Sequence, residues 1–145
     1  MNVLLPDAIQ MSNLTSRFYA ELDDRNYEGV LSCMASDGVW VRRGQEVVGH
    51  EAIAEALRSR PNNFHTCHLV TNVQVEQFDE EHGRVRFYMT GLPYIGELPP
   101  GEYVPAPSPH ILALYHDMMV KRDGRWYIAE KRLLRTAYKD SLQLP

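Results

Sequence analysis

Apolar positions recur at helical spacing in the first third of the chain and alternate at strand spacing in the last two thirds. Between Asp7 and Leu22, Leu14, Phe18 and Leu22 repeat every fourth residue, and Ile9, Met11 and Tyr19 widen the stripe. A second, shorter helix is predicted over Asn26 to Met34, with Tyr27, Val30, Leu31 and Met34 inward. Ser36-Asp37-Gly38 reads as a turn. Gly38 to Arg43 alternates as a strand, and Val47-Val48 follows the Gly44 turn as a short return strand. Glu51 to Arg60 is predicted as a third helix, with Ile53, Ala56 and Leu57 inward and Pro61 ending the segment. Alternation then takes over in Cys67 to Phe78, Arg84 to Thr90, Ile111 to Lys121 and Trp126 to Leu134. Glu80 to Gly83 and Arg122-Asp123-Gly124-Arg125 are hairpin connections. The tail after Arg135 is expected to be loosely held.

Helices followed by an antiparallel meander indicate an α+β fold. Three helices on one face of a strongly curved sheet leave a cone with an interior cavity. The 145 residues fit a single domain spanning residues 1–145. One stretch breaks the alternation. Gly91 to His110 holds six of the nine prolines, and loops of this length are more often functional than idle. A lid over a pocket, an oligomer contact and a plain surface loop are the readings open for it.

Composition narrows the function classes. The net charge is −4 and the pI about 5.8, which disfavours nucleic acid as a partner. No basic leader and no long apolar run is seen, so a cytoplasmic protein without a membrane span is expected. Cys33 and Cys67 are expected to be buried, reduced thiols. His65 and His68 point to opposite faces of a strand, and His110 and His116 lack a carboxylate at ligand spacing, so no metal is expected. There is no glycine-rich phosphate loop, dinucleotide fingerprint or Gly-x-Ser-x-Gly elbow, so no cofactor is expected either. Apolar residues on both faces of the Ile111 strand predict a homodimer, with a homotrimer as the alternative.

The candidate chemistry lies in two segments. Leu22 to Tyr27 brings the carboxylates Asp23 and Asp24 to the end of the first helix. His65 to Asn72 brings histidine to the start of a strand. A carboxylate and an imidazole meeting in an apolar pocket form a general acid/base pair.

The order of short motifs resembles the SnoaL-like family of the nuclear transport factor 2-like superfamily. These are Phe18-Tyr19-Ala20-Glu21-Leu22-Asp23, Ser36-Asp37-Gly38-Val39-Trp40, Gly49-His50-Glu51-Ala52-Ile53, Thr66-Cys67-His68-Leu69-Val70-Thr71-Asn72 and Asp123-Gly124-Arg125-Trp126. The resemblance implies the cone-shaped fold of that superfamily. At the chemical positions it is closest to scytalone dehydratase and the hexachlorocyclohexane dehydrochlorinase, which implies an Asp–His dyad of Asp23 and His68. The base of the ketosteroid isomerases falls near Arg42, which cannot serve as one. The second histidine of scytalone dehydratase finds no counterpart in Gly91 to His110.

On this reading His68 is the base, Asp23 orients it, and Tyr19 or Tyr27 is the acid. Trp40, Val70, Asn72, Tyr88 and Trp126 are the candidate pocket residues. Asn72 shares a strand face with His68, about 13 Å along it. Asp117, mid-strand, is assigned to an ion pair with Arg125 or Lys131. The expected function is a cofactor-independent lyase or isomerase acting on a small hydrophobic molecule. The alternatives are a non-catalytic ligand-binding or assembly subunit, and a polyketide-cyclase-like enzyme.

Overall fold

The computed structural model describes residues 6–103 and 109–141. Helix α1 (Asp7–Asp23) leads into α2 (Tyr27–Cys33), strands β1 (Met34–Arg42) and β2 (Gln45–Val48), and helix α3 (Gly49–Arg58). Four long strands follow: β3 (Phe64–Gln77), β4 (His82–Ile95), β5 (Ile111–Arg122) and β6 (Arg125–Lys139). They form one six-stranded sheet in the order β2-β1-β6-β5-β4-β3. Every neighbouring pair is antiparallel except β1 and β6, which run parallel.

The helical stripe does what its spacing predicts. Met11, Leu14, Phe18 and Leu22 of α1 are buried against Val85 and Phe87 of β4 and Ile128 of β6 in one core cluster. Helix α2 starts where the Asn26 side chain accepts a hydrogen bond from the Gly29 amide at 3.3 Å, a side-chain cap on an otherwise unpaired donor. Ile53 and Leu57 bury the inner face of α3. At the β5–β6 turn, Asp123 and Gly124 both have positive φ, 51° and 74°. That is the backbone a two-residue hairpin turn requires, and it explains the Asp-Gly sequence there.

Ser36-Asp37-Gly38, expected as a turn, is part of strand β1, and the structure departs from the sequence expectation in four further places. First, β4 runs on to Ile95, into the segment read as loop. Its pairing with β5 stops at Gly91, whereas β3 still faces Pro93 through Thr66. A proline with one partnered side removed is compatible with a strand edge. Residues 104–108 of the proline-rich segment lie outside the described residues. Second, β6 does not fray after Arg135. It continues to Lys139, and the Asp140 amide donates to the His110 carbonyl at 2.9 Å. Third, Cys67 is exposed while Cys33 is buried, because alternate residues of the edge strand β3 face outward. Fourth, Asn72 sits at a register shift between Thr71 and Gln74 with φ at 51°. The bulge breaks the alternation that would have put it on the His68 face.

Strand β6 spends 15 residues alongside the 12 of β5. Three register shifts absorb the difference. Arg122 therefore faces Arg125 at the turn, while Ile111 faces Lys139 at the far end.

Candidate functional site

Asp23 is the last residue of α1, and β3 crosses beside it. Its carboxylate accepts three hydrogen bonds from β3: from the Thr66 hydroxyl at 2.8 Å, from the His68 amide at 2.8 Å, and from His68 Nδ1 at 2.6 Å. An ionised carboxylate only accepts, so Nδ1 carries the proton and Nε2 is left as the basic nitrogen. The two side chains are 13% and 19% exposed, so the pair is screened from bulk water yet reachable. Behind it stands Arg60, which donates to the Leu22 carbonyl and to the Thr66 hydroxyl, both at 2.9 Å. Arg60, Thr66, Asp23 and His68 thus form one hydrogen-bonded chain.

The His68 ring lines a cavity of about 210 Å³, together with Tyr19, Trp40, Phe64, Met89 and Tyr115. An apolar cavity of ~150 Å³ is enough to hold a benzene molecule. Opposite His68 in the sheet lies Gly91. A Cβ there would sit 3.1 Å from the Ile111 side chain and 4.0 Å from the His68 ring, so a side chain would fill the space beside the imidazole.

Tyr19 packs its ring 4.9 Å from that of His68. Burial, with the nearby Tyr115, Asp117 and Asp23 groups, holds its phenol protonated well above the usual tyrosine range. Burial and Asp117 likewise push Tyr115 up to about 12. Both phenols are neutral hydrogen-bond donors at ordinary pH.

Other sequence candidates lie elsewhere. Tyr27 is outside the cavity lining, and its hydroxyl accepts from Arg25 at 3.2 Å. Val70 does not line this cavity but an outer groove on the other side of the Asp23–His68 pair, which Tyr19, Asp23 and His68 also line. Asn72 is exposed at its bulge. Tyr88 alternates with the buried Phe87 and Met89, so it faces away from the core, where its hydroxyl accepts from Arg135 at 3.0 Å. Trp126 is buried near the Asp123–Gly124 turn, opposite Lys121, at the other end of the strand from the cavity. Of the five pocket candidates, Trp40 alone lines the cavity. Asp117 pairs with Lys131 at 2.7 Å, not with Arg125.

A second histidine–carboxylate pair went unread in the sequence. His110 lines the same cavity, and its Nδ1 lies 2.5 Å from the Asp140 carboxylate. Counting back from the Asp123–Gly124 turn without a bulge would set His110 against Ala137. The three register shifts of β5–β6 bring Asp140 there instead. Arg42, Arg60 and Tyr115 also line the cavity without having been marked as pocket residues. Among the described residues no group of three metal-ligating side chains occurs, and no helix is long and apolar enough to cross a membrane.

Residues 4–132 match the family described as the SnoaL-like domain. Among solved structures, the chain is similar to Rv3472(D26N) of Mycobacterium tuberculosis, a protein of unknown function, at 22% identity and a TM-score of 0.73, covering 88% of this chain and 74% of that one. It is similar to a candidate scytalone dehydratase of Novosphingobium aromaticivorans at 18% identity and a TM-score of 0.76, covering 94% and 88%. It is also similar to a protein of unknown function with a cystatin-like fold from Nostoc punctiforme at 19% identity and a TM-score of 0.70, covering 92% and 93%. No curated protein matches the chain.

Proposed function

The chain belongs to the SnoaL-like family, and from that premise we propose that it is a cofactor-independent lyase or isomerase that removes a proton from carbon in a small molecule. The 2.6 Å contact between His68 Nδ1 and Asp23, with the ring in a cavity wall, carries this reading. His68 Nε2 takes the proton. Asp23 stabilises the imidazolium that results. The electron pair of the broken C–H bond becomes the new double bond, and the leaving hydroxyl departs as water after accepting a proton from His110. Asp140 supports the protonated form of His110 from behind. Tyr19 and Tyr115 donate hydrogen bonds to a developing enolate. Without a leaving group, the proton returned to a different carbon gives a double-bond shift. A tyrosine acid at position 27 has no place in this scheme, since that phenol is turned to Arg25.

The test is hydrogen–deuterium exchange and water loss, followed by NMR in D2O, over a panel of small cyclic β-hydroxy ketones and enones. Turnover by the native protein that falls at least ~100-fold in His68→Gln is expected. Equal turnover by the variant would remove His68 from the chemistry.

One observation favours a second reading. Asp23 also accepts the His68 amide and the Thr66 hydroxyl, bonds that pin α1 to β3 with no substrate involved. A ligand-binding protein would need only that. In such a protein His68→Gln would weaken ligand binding or stability and no turnover would be found. A homodimer is proposed from the exposed Leu69, Leu133, Leu134 and Tyr138; sedimentation equilibrium distinguishes it from a monomer or trimer.

A further inference from the structure

Among the described residues, the cavity that holds His68 is lined by three arginines and two histidines and by no carboxylate. Arg42, Arg43, Arg60, His68 and His110 all contribute to its wall. The nearest carboxylates, Asp23 and Asp140, face the Nδ1 atoms of the two histidines. Among the described residues, neither Arg42 nor Arg60 has a carboxylate within 4.0 Å.

Both guanidiniums are held in place by neutral groups. Arg42 lies 4.6 Å from the centre of the Trp40 ring and makes one long contact, 3.4 Å, to the Ala56 carbonyl. Arg60 lies 5.5 Å from the centre of the Phe64 ring and is tied to Leu22 and Thr66. These contacts use only part of the five N–H donors each guanidinium carries. The electrostatic setting is unfavourable for the empty protein. Burial, then Arg43 and Arg60, lower the affinity of Arg42 for its proton. Burial acts first on Arg60 too, and Arg25 adds to it, while Tyr27 and Asp23 oppose it. Arg42 and Arg60, partly buried side by side, repel each other at a cost, and an anion placed between them would relieve that cost. Planar guanidinium forks match a carboxylate bidentately, and the aromatic walls and the volume suit one ring-sized apolar body.

We propose that the cavity takes a small organic acid, its apolar ring against Trp40, Phe64 and Met89 and its carboxylate between Arg42 and Arg60. The carboxylate site stands on the arginines alone. Only the placement of an acidic C–H at His68 Nε2 rests on the lyase or isomerase reading. The expectation of a largely apolar substrate is thereby narrowed to an apolar body with one anionic group.

The experiment is isothermal titration of the full chain with benzoate and cyclohexanecarboxylate against their neutral amides, benzamide and cyclohexanecarboxamide. The acids are expected to bind about tenfold or more tighter than the amides. That preference should collapse in Arg42→Gln, recover in part in Arg42→Lys, and shrink with added salt. Circular dichroism and thermal melting check that Arg42→Gln folds. Equal binding of acid and amide by the native protein, or an acid preference that survives Arg42→Gln, would overturn the proposal. His68→Gln separates the two readings. An acid preference intact in that variant with turnover lost supports both. An intact preference in a protein whose turnover does not depend on His68 leaves the anion site standing and removes the base. Turnover that depends on His68 in a protein indifferent to the acid does the reverse.

Discussion

Helix α1 touches two carboxylates in opposite settings, Asp117 of the sheet and its own Asp23. Near its middle, the Thr15 hydroxyl donates to Asp117 at 2.7 Å, and Asp117 holds the Lys131 ammonium at 2.7 and 2.9 Å. Both side chains of that pair are 0% exposed. Eight residues on, about 12 Å along the axis, Asp23 holds His68 at a cavity wall. The chemistry of the two is similar and the surroundings differ. The Lys131 ammonium lies 4.4 Å from the Phe18 ring centre, 4.5 Å from Tyr19 and 5.0 Å from Phe87. No substrate reaches it, so its work is to hold the sheet to the helix in one register. Burial draws the Lys131 ammonium towards losing its proton, and Asp117 opposes that. Tyr19 stands between the two sites, with Lys131 on one side and the His68 ring on the other. Access, rather than the identity of the charged groups, separates a packing device from a reactive one.

The largest expected effect breaks the sealed pair. Lys131→Ala should cost about 3–5 kcal/mol in denaturant unfolding, because it strands a buried carboxylate. Lys131→Met combined with Asp117→Leu should recover much of that loss, since an apolar pair leaves nothing unpaired. A cost below ~1 kcal/mol for Lys131→Ala would show that the pair does not hold the core together.

The cavity pair should behave in the opposite way. His68→Gln is expected to lower turnover by ~10²–10⁴ while shifting unfolding far less than Lys131→Ala does. A variant as unstable as Lys131→Ala would place His68 with the packing residues. Asp140→Asn sharpens the contrast further. It should lower turnover by about tenfold, because His110 loses the carboxylate that orients its ring and supports its protonated form. Unchanged turnover would exclude His110 as a proton donor.

The smallest effect is electrostatic. Tyr115 is disfavoured as a phenolate in the folded chain, with its pKa pushed up to about 12 from 10.0. The unfolded chain therefore loses this proton first. The stability contributed is fully present below pH 10 and is lost as pH rises towards about 12. Tyr19 acts in the same direction. In Tyr115→Phe the alkaline slope of the melting temperature should be shallower than in the native protein.

Much of this molecule was legible in its sequence, and the illegible parts share a cause. Periodicity located all three helices and the long strands because each buries one face, and burial enforces the repeat. Asp23 and His68 could be named because motif order ties the end of α1 to the start of β3. Asp140 could not, since its neighbour is decided by three bulges that leave no mark in local pattern. Asn72 and the extent of β4 failed for the same kind of reason: a bulge at Thr71–Gln74 and an unpaired edge at Pro93 override simple alternation. In the sequence Arg42 stood out only as a residue that cannot serve as an isomerase base, and Arg60 only as the end of a helix. Their meaning comes from the fold, which brings both to one cavity wall without a carboxylate within ion-pair reach among the described residues.

The mismatch between β5 and β6 has a consequence beyond the bend it gives the sheet. Two scales of unequal division, 12 residues against 15, work as a vernier and agree only at certain marks. One of those marks aligns Asp117 with Lys131 in the core, and the end of the scale aligns the His110 segment with Asp140. An insertion or deletion between Lys131 and Lys139 would leave the core mark in agreement and throw the outer one off. The chain can thus retune its outer histidine by a change of length, with its interior untouched.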